Sequence, residues 1–192
     1  MSKLPADFYL RSDVVQISRD LIGKRICSRI NGEYCSAIIT ETEAYAGVED
    51  KASHAYGGKR TKRTEIMYAK GGVTYVYLCY GIHYLFNVVT NQEDIPHAVL
   101  IRGIKAEEGI ATIQRRRKLN LLKKDSLSGP GKVSQALAIT LAHNKLSLHE
   151  DKIWIEEGNT QIDDSEILIS SRIGIDYAEE DALLPYRFQL KE

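Results

Sequence analysis

The stretch GGVTYVYLCYGIHYLFNVVT, residues 71–90, constrains the fold more than any other part of the chain. It is aromatic and β-branched almost throughout, which suits a pleated, half-buried surface and disfavours a helix. Its one interruption is Tyr80-Gly81, so it predicts two antiparallel strands joined by a tight turn at that point. A second hairpin is written around Asn31-Gly32, with arms at 25–30 and 33–40. A two-residue turn there sets Cys27 opposite Ser36 and Cys35 opposite Ser28, so these two thiols are not direct partners. With Cys79 as the third cysteine and no CxxC or HExxH spacing, the cysteines read as reduced and structural. Neither a metal nor a cofactor is called for.

The rest of the chain supplies further strands at HAVLIR (97–102), KIWIEE (152–157), EILISS (166–171) and YRFQL (186–190). Helices are expected at 12–22, capped by Ser12 and stopped at Gly23, and at 106–118 and 131–142. The Gly- and Lys-rich segment 46–72 reads as loop with a short helical turn near 64–68. Strands and helices do not alternate regularly. The expected class is therefore α+β, with a curved, mostly antiparallel β-sheet and flanking helices, in a single domain spanning 1–192. At 192 residues and 43% hydrophobic the chain can bury a proper core. No apolar run approaches membrane-spanning length and the first residues lack a signal-peptide core, so a cytoplasmic protein is expected.

The chemistry concentrates after the second hairpin, in ETEAYAGVEDKASHA, residues 41–55. In an extended segment Glu41 and Glu43 point to one face, where two carboxylates are costly unless each has a partner or a task. Alternation alone does not choose between them. Seven of the eleven tyrosines fall between Tyr45 and Tyr84, near His54, Asn87 and the basic run GGKRTKR at 57–63. Aromatic faces beside polar groups and cations can hold a nucleobase; a packed tyrosine-rich sheet is the competing reading. The formal net charge is zero, yet the segment from Glu156 onward carries ten acidic residues against three basic. The remainder is correspondingly basic, which is compatible with phosphate binding. Lys59, Arg60, Arg63 and Lys132, the last in a Gly-Pro loop that feeds a helix, are the candidate phosphate contacts.

Five collinear segments carry a resemblance: ETEAYAGVEDKASHAYGGKRTKR, GGVTYVYLCYGIHYLFNVVT, AVLIRGIKAEEGI, SGPGKVSQALAI and RIGIDYAEEDALLPYRF. Together they resemble the 3-methyladenine (alkyladenine) DNA glycosylases of the type that lacks a helix-hairpin-helix. The resemblance implies a monofunctional base-excision-repair enzyme that needs no cofactor. Its partner is double-stranded DNA holding alkylated or deaminated purines, with no obligatory protein partner; a monomer is the default expectation for an enzyme that scans DNA. It implies that Glu43 is the base that activates water, that Arg102 helps hold this water, and that the main-chain carbonyl of Ile173 completes its ligands. Tyr45 and His54 then line one side of a flipped base, Tyr77 stacks on the other, and Asn87 crowds the purine 2-position. Tyr80, before Gly81, becomes the tip of a protruding β-hairpin that enters DNA.

Two bland alternatives stand beside this. Glu43 could be a strand-end carboxylate paired to Arg102 with no pocket around it, and Glu41 is read as structural, held by an amide or a basic residue. The whole chain could also be a non-catalytic nucleic-acid-binding module on the same fold.

Overall fold

The computed structural model describes residues 2–159 and 162–191. Two short helices, α1 (Ala6–Tyr9) and α2 (Val14–Asp20), lead into strands β1 (Arg25–Ile30) and β2 (Glu33–Tyr45). After a long connection come β3 (Val73–Cys79), β4 (His83–Thr90) and β5 (His97–Glu108), then helices α3 (Ile110–Arg117) and α4 (Pro130–Ala136). Strands β6 (Ile153–Glu156), β7 (Ile167–Ser170) and β8 (Arg187–Leu190) finish the chain. All strand pairs are antiparallel, in the order β3-β4-β5-β2-β1-β6, with β8 also on β2 and β7 on β8. The fold is α+β with a curled antiparallel sheet, as the element pattern predicts.

β2 is the spine. One edge pairs with β5 along most of its length; the other is divided between β1, up to Ile38, and β8, at Glu41–Glu43. The β2–β5 register slips around Ser36 and again on both sides of Glu41. Such bulges increase local twist and re-aim side chains. Gly103 is required opposite this bulge, because a Cβ there would lie 2.9 Å from that of Glu41.

The two faces of the sheet have different tasks. Val76, Phe86, Val88, Val99 and Ile101 point to the main core, where they meet α2 and α4 through Ile17, Val133 and Leu137. Tyr75, Tyr77, Asn87, Leu100 and Arg102, of opposite parity on β3, β4 and β5, face the other way into a cavity. A smaller apolar cluster of Ile66, Met67, Tyr68 and Val89 supports that second face.

The first hairpin has the predicted register, Cys27 opposite Ser36 and Ser28 opposite Cys35. Three helix boundaries differ from expectation. Asp13, not Ser12, caps α2, its carboxylate accepting from Gln16 N at 2.9 Å. Residues 106–108 continue β5 instead of starting a helix, because β2 offers a pairing edge as far back as Ser36 and Arg25 ties down Glu107 and Glu108. Gly109, at φ 70°, then breaks the strand before α3. The helix expected to reach 142 stops at Ala136, with Ala138 in the left-handed region at φ 58°. Among the described residues no helix is long and apolar enough to cross a membrane, and no group of three His, Cys, Asp or Glu side chains is placed to hold a metal ion.

Candidate active site

The second face of the sheet opens into a cavity of about 660 Å³ whose wall includes Tyr45, His54, Tyr77, Asn87 and Arg102. These come from β2, the connection after it, β3, β4 and β5. Antiparallel pairing brings them to one place: Glu43 is opposite Leu100, and Asn87 is opposite both Leu100 and Tyr75.

Glu43 is fully buried and lies just behind this wall. Its Oε1 accepts from the Ile173 backbone N–H at 2.8 Å and lies 3.3 Å from Arg102 Nε. Its Oε2 accepts from the Tyr45 hydroxyl at 2.8 Å. Burial pushes the carboxyl above its usual range; Arg102, the Ile173 amide and the Tyr45 hydroxyl pull it back, and Glu41 adds a smaller upward push. The ion pair with Arg102 foreseen by the bland reading is present, but so is the cavity that reading excludes. Ile173, expected to offer its carbonyl to the water, is brought beside Glu43 through its amide.

Glu41 has the basic partners expected of a structural carboxylate. Its Oε1 accepts from Arg102 Nε at 3.0 Å and from Arg187 Nε at 2.6 Å. Arg102 therefore stands between the two glutamates.

His54 and Tyr77 are grouped differently from expectation. Their rings meet edge to face at 4.8 Å, too close to admit a third ring between them. His54 thus belongs with Tyr77 and Tyr75 on one wall, while Tyr45, bonded to Glu43, also lines the cavity. Tyr75, on the same strand face as Tyr77, was not singled out from the sequence, although the two-residue period points to it. Its hydroxyl lies 2.8 Å from His54 Nδ1, while Arg63 Nη2 lies 3.2 Å from His54 Nε2. Arginine can only donate, so Nε2 accepts and Nδ1 carries the proton toward Tyr75. Burial, with help from Arg63, lowers the imidazole to about 4. His54 is a neutral wall residue.

Asn87 is buried at the cavity edge and donates from Nδ2 to the Tyr75 carbonyl at 3.1 Å. At the cavity mouth, Tyr80 is 90% exposed on the β3–β4 turn, with Ile82 also exposed beside it. Tyr80 and Gly81 have φ of 50° and 72°, and Ile82 N–H closes the turn on the Cys79 carbonyl at 3.1 Å. The left-handed region costs a residue other than glycine about 1 kcal/mol, so this tyrosine is held out from the sheet at some expense.

The four candidate phosphate contacts separate. Arg60 is engaged by Glu65 at 2.9 Å and Asp94 at 2.6 Å and lies over the Tyr68 ring, so its charge is already matched. Arg63 lies over the Tyr77 ring at 4.7 Å, inside the cavity mouth instead of on the outer loop. Lys132 borders the cavity and donates to the Asp125 carbonyl at 3.1 Å. Lys59 is exposed.

One supporting group was not singled out from the sequence, although it opens the segment RIGIDYAEEDALLPYRF. Arg172 is fully buried and grips Asp50 with both terminal nitrogens, at 2.5 and 2.9 Å. Its Nη1 also donates to the Ala44 carbonyl at 2.9 Å, and its guanidinium lies 4.9 Å from the Tyr45 ring centre. Through its chain neighbours, this ion pair fixes the backbone on both sides of Glu43: Ala44 next to it, and Ile173, which bonds it.

Comparison with known proteins agrees with this constellation. The family described as "Methylpurine-DNA glycosylase (MPG)" matches residues 7–192. A Chlamydia felis protein is 47% identical over 188 residues, covering 97% of this chain and 95% of that protein. A Chlamydia abortus protein is 46% identical, covering 97% of each chain, and one from Desulfitobacterium hafniense is 42% identical over 199 residues. Each bears the name "Putative 3-methyladenine DNA glycosylase". With a match across nearly its whole length, and a buried glutamate beneath an aromatic cavity, the chain belongs to the methylpurine-DNA glycosylase family.

Proposed function

We propose that the chain is a monofunctional DNA N-glycosylase that takes an alkylated purine such as 3-methyladenine out of duplex DNA and hydrolyses its glycosidic bond with water activated by Glu43. The observation that carries this reading is the buried, raised carboxyl of Glu43 behind a cavity walled by Tyr45, Tyr77 and His54. A glycosidic bond inside a duplex is shielded by stacking, so the nucleotide must first rotate into such a pocket. The purine lies between Tyr45 on one side and the Tyr77–His54 wall on the other. Tyr80, exposed at the hairpin tip, fills the space it leaves in the duplex.

As the bond from C1′ to the purine nitrogen breaks, its electron pair leaves with the base and the sugar becomes cationic. The Glu43 carboxylate stabilises that charge; water oxygen then bonds C1′ and its proton passes to Glu43. Arg102 and the Ile173 main chain hold this water beside Glu43. A carboxyl raised by burial is a better base near neutral pH than an exposed one. A purine alkylated at N3 or N7 is already cationic and departs neutral. A neutral purine such as hypoxanthine needs a proton, which His54 is poorly placed to give: its one proton is directed at Tyr75 and its other nitrogen is an acceptor. Cationic purines are therefore the preferred substrates. Asn87 crowds the purine 2-position, Lys59 and Lys132 meet backbone phosphates, and the chain acts as one domain and as a monomer.

Replacing Glu43→Gln removes the base while keeping the shape of the side chain. The expected outcome is loss of base release from methylated duplex by a factor on the order of 10² to 10⁴, with duplex binding retained. Release at the unaltered rate would overturn the role of Glu43. Wild-type binding with no release would favour a non-catalytic binding module.

A further inference from the structure

Four charges, two of each sign, are packed beneath the cavity: Glu41, Glu43, Arg102 and Arg187. The side chains of Glu41 and Glu43 are 4% and 0% exposed and those of Arg102 and Arg187 are 12% and 16% exposed, so water screens their interactions weakly. Arg102 Nε is nearer Glu41, at 3.0 Å, than Glu43, at 3.3 Å. Arg187, whose backbone pairs with Glu43 on β8, turns its side chain instead to Glu41, at 2.6 Å. At the bulge opposite Gly103, β5 passes close to Glu41. Other groups also face Glu43: the Tyr45 hydroxyl from β2, the Ile173 amide after β7, and Arg172, which Asp50 neutralises. On its far side Glu41 borders a second cavity whose wall carries Lys105, Lys123, Asp125 and Lys191.

We propose that Glu41 and Arg187 are positioning residues that act through Arg102: they set how tightly Arg102 holds Glu43, and so how readily Glu43 takes a proton from water. This rests on Glu43 being the base. Without the Glu41 charge, Arg102 turns wholly to Glu43, and Arg187 adds an unmatched positive charge nearby. Glu43 then keeps its own charge more firmly and becomes a weaker base. Without Arg187, the Glu41 charge is unmatched, competes for Arg102 and repels Glu43. Glu43 then takes a proton at higher pH. The two changes push in opposite directions, whereas loosening of the structure has no reason to do so.

The test is single-turnover release of 7-methylguanine from duplex DNA as a function of pH. This base is cationic and needs no acid, so the fall in rate on the acid side reports the base alone. Glu41→Gln is expected to move that fall about one pH unit lower and to reduce the plateau rate. Arg187→Gln is expected to move it about one unit higher, and the double variant to return it toward wild type. Unmoved falls, or falls moving the same way in both single variants, would overturn the proposal. Should Glu41→Gln fail to fold, Arg187→Gln and Arg187→Lys decide between them, since lysine keeps the charge and is expected to keep the wild-type profile. Wild-type protein that releases no base, or Glu43→Gln protein that still releases it, would instead refute the role of Glu43 itself.

Discussion

Both oxygens of Glu43 accept hydrogen bonds from protein groups, the Ile173 amide and the Tyr45 hydroxyl, while burial makes its charge expensive. That tension is what one expects of a carboxylate kept for proton transfer. His54 shows the opposite design, an imidazole held neutral well below its ordinary range. Its stability contribution has a definite sign. Because the folded-state value is lowered, the unfolded chain binds the extra proton first, so His54 weakens the fold as pH falls from about 6.5 toward 4. At pH 6 the nitrogen resonances of His54 are accordingly expected to show a neutral ring protonated at Nδ1. A ring that protonates near pH 6.5 would contradict this and reopen His54 as an acid for neutral purines. The residue scale was partly legible: Glu43, Tyr45, Tyr77, Asn87 and Arg102 meet at the cavity as expected. The sharing of Arg102 was not, because it depends on Arg187, whose distance from Glu41 along the chain only β8 pairing closes.

At the scale of elements, strand parity explains most of the site. Alternation on β3, β4 and β5 sends one set of side chains to the core and the other to the cavity, and for β3 and β4 this was readable from GGVTYVYLCYGIHYLFNVVT. The extent of β5 was not readable. Its last residues are good helix formers, and only the waiting edge of β2 makes them strand. The same limit applies to Arg63, which looks from sequence like one of several loop cations but is drawn over Tyr77. The β3–β4 turn holds Tyr80 outside the sheet, 90% exposed, so the side chain contributes little to folding. Tyr80→Ala is therefore expected to change stability by no more than about 0.5 kcal/mol. It should nevertheless slow excision from intact duplex, and do so less for single-stranded DNA, where no gap needs filling. Equal rates on duplex for the variant and wild type would remove Tyr80 as the wedge.

Over the whole molecule, charge is divided rather than absent. The net charge is zero, but the acidic residues gather in the last part of the chain and the cavity mouth carries Arg63 and Lys132. Local positive charge beside an aromatic cavity suits engagement of one nucleotide and its phosphates more than strong binding to DNA at large. The most direct measurement is therefore of products. Wild-type protein is incubated with duplexes carrying 3-methyladenine, 7-methylguanine or hypoxanthine, and the free bases and the DNA strands are separated and identified. Free alkylated base, an abasic strand left uncut, and slower release of hypoxanthine are expected. Binding without any free base, or strand cleavage through a borohydride-trappable lysine adduct, would contradict the proposed activity.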